Sequence, residues 1–222
     1  QSELILSICP PDAASALSEI VKHTGFRGTY VDCNAISPMR MRRIGDDLAG
    51  AGIRVVDGGI IGPPAWQANR TFLYLSGGGA EDVAACFEKG PLIARPMAGK
   101  SVGDASALKM CYAAFTKGST ALLAAIMATA ADLGIRDELG AHWDIDQAGR
   151  AADREKSVVA ATPKAWRWVG EMHEIAETFA AAGQPEGFHE AAATLYQKLE
   201  GLKDGPHPAR IETILDALRP KH

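Results

Sequence analysis

Hydrophobic and polar positions alternate in short blocks along the first hundred residues. Glu3–Cys9 (ELILSIC) is an apolar run stopped by Pro10-Pro11, which predicts a strand. Asp12–His23 carries Ala16, Leu17, Ile20 and Val21 at helical spacing, with Gly25 behind it. Thr29–Cys33 (TYVDC) predicts a second strand. Ser37-Pro38 is an N-cap followed by proline at the first helical position, and that helix ends near Gly50–Gly52. Ile53–Val56 and Thr71–Leu75 predict further strands, Ala80–Glu88 a helix and Pro91–Pro96 a last strand. Strands separated by helices predict βαβ units and a mostly parallel sheet.

Beyond residue 100 the pattern changes. Val102 to about Leu133 is rich in Ala and Leu, with no Pro. There Leu108, Cys111, Phe115, Leu122 and Ile126 recur at helical intervals and predict one apolar helix face. Ala165–Ala182, stopped by Gly183, then Phe188–Leu199 and Ala209–Leu218 predict more helices, with a loop at Gly205, Pro206 and Pro208. The expected fold class is α/β followed by all-α. An α/β domain over residues 1–100 precedes a helical domain over 101–222, with a boundary near Gly99–Gly103.

Composition narrows the function classes. The 222 residues are 47% hydrophobic and 23% charged, with a formal net charge of −4. An electrostatically driven nucleic-acid binder needs a basic excess, so nucleic acid is not an expected partner. Cys9, Cys33, Cys86 and Cys111 form no CxxC or metal-ligand spacing, and read as buried free thiols of a reducing compartment. The scattered histidines offer no HExxH. No metal is expected. No apolar run approaches the roughly 18 residues of a membrane span, and Gln1–Cys9 lacks a signal peptide's basic start. A cytoplasmic protein without a membrane partner is expected.

Ligands of a parallel sheet bind outside the carboxyl ends of its strands. Cys9-Pro10-Pro11, Asp32–Pro38 and Asp57–Pro64 occupy such positions. The glycines of the third segment permit close backbone approach or form a plain turn. Asn34 suits a hydrogen bond to a ribose or amide, or marks the way into the helix at Pro38. Lys109, Ala113, Thr116 and Thr120 share one stripe of the long helix, opposite Leu108, Phe115 and Leu122. A lysine there transfers protons once desolvation lowers its pKa, or is a solvated surface residue. Lys117 reads as solvated. The cluster Arg40, Arg42 and Arg43 reads as a solvated face rather than a phosphate site. Gly77-Gly78-Gly79 lies between a strand and a helix without the spacing of a known phosphate loop. An unrelated α/β enzyme that binds phosphate there is a rival reading.

Four segments together resemble the β-hydroxyacid dehydrogenase superfamily, which includes 6-phosphogluconate and 3-hydroxyisobutyrate dehydrogenases. Cys9–Asp12 (CPPD) is similar to the loop under the cofactor, and Val31–Pro38 (VDCNAISP) to the D-x-S-T-x-x-P turn. Val56–Gly62 (VDGGIIG) is similar to the D-x-P-x-S-G substrate loop, and Ser101–Ala113 to the helix bearing the catalytic lysine. KMCYAAFTKGSTALL and RWVGEMHEIAETFAAAG resemble a subgroup that pairs an NADP-binding domain with a helical C-terminal domain of unknown function. The resemblance implies NADP or NAD as cofactor, a small-molecule substrate and a homodimer. It implies Lys109 as catalytic acid or base. Cys9, Pro10, Pro11 and Asn34 would border the cofactor, and Gly58, Gly59, Ile61, Gly62 and Ala113 the substrate.

Several positions depart from that pattern. Ile61 stands where the family has a serine, Ala113 where it has an asparagine, and Gly170-Glu171 where it has a Lys-Asp pair. A less polar substrate than 6-phosphogluconate is therefore expected, with an imine as one option. No GxGxxG occurs in the 222 residues, and a strand run begins at Leu4. The expectation is a chain lacking the first half of a Rossmann domain, hence an oxidoreductase inactive or impaired in this form. A non-catalytic helical dimerisation module is the rival reading.

Overall fold

The computed structural model describes residues 2–205 and 208–219. The loop position Pro206 lies outside them. Five strands, β1 (Leu4–Ser7), β2 (Thr29–Asp32), β3 (Arg54–Ile61), β4 (Thr71–Ser76) and β5 (Leu92–Pro96), form one sheet in sequence order. All adjacent pairs are parallel except β3 and β4, which are antiparallel. The expected mostly parallel sheet followed by helices is the fold observed, and no strand follows β5 among the described residues.

Side-chain alternation divides the sheet's faces. Tyr30 and Val55 join Val21 of α1 (Ala14–His23) and Met41, Ile44 and Leu48 of α2 (Pro38–Gly50) in one buried cluster. Val31, Val56, Leu73 and Leu75 join Val83 of α3 (Ala80–Ala85) in another. The start of α2 follows its sequence signal: the Ser37 hydroxyl accepts the Arg40 N–H, with proline in the first turn.

The third strand corrects the sequence reading. Asp57–Ile61 belongs to β3 and pairs with Ser76–Phe72 of β4, rather than forming a loop after Val56. Two adjacent glycines suggest a turn, yet here they make the strand thin. A Cβ on Gly58 would stand 2.5 Å from Cys33 Sγ, and one on Gly59 would stand 2.7 Å from the Ala105 carbonyl oxygen. The turn begins at Gly62, whose φ of +126° suits glycine.

The helices are α4 (Asp104–Asp132), α5 (Arg136–Asp146), α6 (Arg150–Ala161), α7 (Trp168–Ala181), α8 (Gly187–Lys198) and α9 (Ile211–Leu218). The chain divides into two compact units: Gln1–Tyr112 with Glu177–Gln184, and Ala113–Ala176 with Pro185–His222. The second unit buries Ala121, Ala124 and Met127 of α4, Met172 and Ile175 of α7, Tyr196 of α8 and Ile214 of α9.

The burial of α4 also departs from expectation. Phe115 and Leu122 are 76% and 63% exposed, while Met110, Ala114, Ala121 and Ala124 are buried. The inward face is built from small residues, which allow close approach but score weakly for hydrophobicity. By length and composition alone α4 is also apolar enough to cross a membrane, with 33% of its most apolar window buried in the fold. The absence of a long uninterrupted apolar run had hidden this.

Candidate active site

The start of α4 is fastened to the sheet by a buried carboxylate. Asp57, fully buried on β3, accepts hydrogen bonds from Gly103 N (2.9 Å), Ser106 N (2.9 Å), Ser106 Oγ (2.7 Å) and Ser76 Oγ (3.1 Å). Ser76 Oγ also accepts the Ala105 N–H at 3.0 Å. A strand residue and its cross-strand partner thus satisfy amides of the first helical turn. Burial raises the Asp57 pKa, while the bonds from Ser106, Ser76 and Gly103 oppose that shift.

One turn beyond Ser106, Lys109 lies against β3. Its Cβ is 3.4 Å from the point where a Gly59 side chain would begin, and its Nζ donates to the Cys33 carbonyl at 3.4 Å. The ammonium therefore lies at the carboxyl end of β2, in the loop region where ligands of parallel sheets bind. Gly59 faces Lys109, and Ile61, two residues on, lies on the same face of β3. Gly58 faces the other way, toward Cys33 and Leu73. Ala113, one turn after Lys109, is 4% exposed.

The ends of β1 and β2 are joined by a polar network. Asn34 is buried; its Oδ1 accepts the Cys9 N–H at 2.6 Å, and its Nδ2 donates to Ser7 Oγ and Asp32 Oδ2, both at 3.0 Å. Asp32 Oδ1 accepts the Asn34 N–H at 2.9 Å. Both amide protons of Asn34 are thus spent within the protein, and the side chain positions Cys9-Pro10-Pro11. Arg40 donates to the Pro11 carbonyl at 3.1 Å, so one arginine of the basic cluster braces the same loop.

Burial pushes Asp32 up to about 6, against the hydrogen bonds from Asn34. Between about pH 4 and 6 the folded protein keeps a proton that the unfolded chain has released, so stability falls as pH rises through that window. The Asp32→Asn variant should lack this slope. Urea unfolding at pH 4 and pH 7 should show the parent losing about 2 kcal/mol more than the variant between the two. Equal losses would place the charge elsewhere.

Sequence reasoning missed Asp57 and Asp32 as organisers, although each ends an apolar strand run. It also read Lys117 as solvated. Instead Lys117 forms a close ion pair with Glu171, which is 6% exposed, and lies 5.3 Å from the Trp168 ring centroid. Trp168 meets Tyr196 edge-on, and the Tyr196 hydroxyl donates to the Lys117 carbonyl at 2.6 Å. Glu171 and Glu174 do share a face, as their spacing predicts, and both are buried. The Gly77–Gly79 turn serves the chain itself: the Gly77 N–H bonds the Lys100 carbonyl at 3.1 Å.

A mostly parallel sheet followed by helices is a fold shared with solved hydroxyacid dehydrogenase structures. The resemblance read from the four motifs holds at that level, and residues 130–199 match the Domain of unknown function (DUF1932). A conserved hypothetical protein from Sinorhizobium meliloti 1021 superposes with a TM-score of 0.73 at 20% identity, covering 98% of this chain and 74% of that one. The Mycobacterium tuberculosis 3-hydroxyisobutyrate dehydrogenase, solved with L-serine, gives 0.63 at 14% identity, covering 99% and 80%. An uncharacterized 28.5 kDa protein in the 7S RNA 5′ region of Methanothermus fervidus is 31% identical over 139 residues. That match covers 62% of this chain and 52%, about half, of the relative.

For a nicotinamide dinucleotide, this chain's residues fit in part. The braced Cys9–Pro11 loop and the Lys109 ammonium both stand at carboxyl ends of parallel strands, where such a ligand's reactive end binds. The sequence has no GxGxxG turn to take the pyrophosphate.

Proposed function

We propose that this chain carries the catalytic portion of an NAD(P)-dependent oxidoreductase acting on a small hydroxy- or imino-substrate. The observation that carries the reading is Lys109, fixed on a capped helix against a glycine of β3, with its ammonium over the end of β2. Lys109 gives or takes the proton of the reacting oxygen or nitrogen. Bound NAD(P) supplies the hydride chemistry. Cys9, Pro10 and Pro11 wall the nicotinamide side, and Asn34 positions them. Gly59, Ile61 and Gly62 border the substrate, with Gly58 completing the thin strand and Ala113 a small neighbour along α4. The apolar Ile61 favours a substrate less polar than a sugar phosphate. β1 is an edge strand, and Leu6 within it, Ile8 after it and Ile20 of α1 are exposed, a surface that fits a pyrophosphate-binding βαβ unit.

The functional form proposed is a cytoplasmic homodimer. Phe115, Leu122 and Ile126 make an exposed apolar stripe on α4, a surface that a second copy would cover. Light scattering should give a dimer for the parent, and a Phe115→Glu, Leu122→Glu double variant should be monomeric. A monomeric parent would sink the proposal. The same stripe favours the second reading, a helical dimerisation module without chemistry. The two separate on NADPH: a saturable fluorescence change on binding supports the oxidoreductase and contradicts the module.

A further inference from the structure

The helical unit carries a site that the oxidoreductase reading does not use. A hollow of about 380 Å³ is lined by Leu123, Gln147, Arg150, Asp153, Arg154 and Ser157. That volume lies at the lower end of small-ligand sites. Arg150, Arg154 and Ser157 follow one another on α6 at four- and three-residue steps, so they share one helix face.

Arg154 is the distinctive member. Its guanidinium lies 4.2 Å from the Trp143 ring centroid, which holds the fork flat. Its Nη1 is buried and has no hydrogen-bond partner. An arginine offers five N–H donors, and leaving them unmet in a buried place is costly unless an acceptor arrives from outside. Arg150 donates to the Gln147 amide oxygen, and the NH₂ of that amide is a further donor in the lining. Asp153 is the one acid in the lining, and its carboxylate is 74% exposed and lies 3.7 Å from Lys156 Nζ. The interior charge of the hollow is therefore positive.

We infer that this hollow binds a phosphate group carried on a small organic molecule. Two guanidinium forks one helical turn apart, a hydroxyl and an amide line the hollow together. That suits a tetrahedral oxyanion better than a planar carboxylate. Leu123 supplies an apolar wall for the organic part. The site lies wholly within the second compact unit and assigns a role to part of the segment matching DUF1932.

Calorimetric titration of the whole chain with glycerol phosphate, inorganic phosphate and succinate at matched ionic strength tests this. One glycerol phosphate should bind per chain, with Trp143 reporting through its fluorescence. Succinate should bind at least tenfold more weakly. Arg150→Gln should weaken glycerol phosphate binding tenfold or more, and Arg154→Met likewise. Arg150 is at the first position of α6, so its variant should keep the parent's circular dichroism even if Arg154→Met unfolds. Unchanged affinity in Arg150→Gln would overturn the inference, as would succinate binding as tightly as glycerol phosphate. NADPH is absent throughout, so failure here is separate from failure of the oxidoreductase reading.

Discussion

Asp57→Ala should cost about 3–5 kcal/mol of folding stability, read as a lowered urea midpoint. The fully buried carboxylate accepts four hydrogen bonds, and three of them come from Gly103 and Ser106 at the start of α4. Alanine would leave those donors unmet, and each buried unmet donor costs about 1–3 kcal/mol before relaxation. Asp57→Asn should cost less, because its amide oxygen can keep the place that accepts from Ser76, Gly103 and the Ser106 N–H while its NH₂ meets the Ser106 hydroxyl, which also accepts. The effect of alanine should be sharper than that of emptying a comparable apolar position, because Asp57 also sets where α4 lies on β3. A loss below about 1 kcal/mol, the size of an ordinary hydrogen bond, would show that the cap is dispensable.

Lys109→Met should slow the proposed catalysis about 100- to 10,000-fold, the range of general acid–base assistance. Methionine keeps the length and apolar contacts of the stem, so the packing on Gly59 survives. What disappears is the ammonium at the Cys33 carbonyl. The loss should appear in kcat, with cofactor affinity nearly unchanged, because the role proposed for Lys109 is on the proton of the reacting group. Lys117→Met makes the contrast. Its partners are Glu171 and Trp168 in the helical unit, so its effect should be on stability. A variant at Lys109 with the parent's kcat would remove the residue from the chemistry.

Much of this arrangement was legible in the sequence where local signals and tertiary demands agree. Ser37-Pro38 begins α2 as capping chemistry requires, and Gly183 follows α7 with a φ of +72°. Lys109 stood out by its place in a motif. Other features depend on what approaches from elsewhere in the chain. Gly58 and Gly59 read as a turn because the pressure from Cys33 and Ala105 is invisible locally. The buried side of α4 was misread because alanines pack inward while Phe115 and Leu122 face outward. Helices α5 and α6 escaped detection because α5 buries none of its residues and so shows no apolar stripe. Asp57 and Asp32 look like ordinary strand-end acids until their partners arrive from residues far along the chain.

The central claim is that Lys109 serves hydride chemistry on a small hydroxy- or imino-substrate. Its most direct test is isotope transfer. The protein is incubated with NADPH deuterated at the reactive carbon and a panel of short 3-oxo acids and cyclic imines, and products are read by mass spectrometry. The account predicts deuterium on the reduced carbon of at least one product, and none in the same time with Lys109→Met. Cofactor bound with no label transferred to any of them, or equal transfer by the variant, would contradict it.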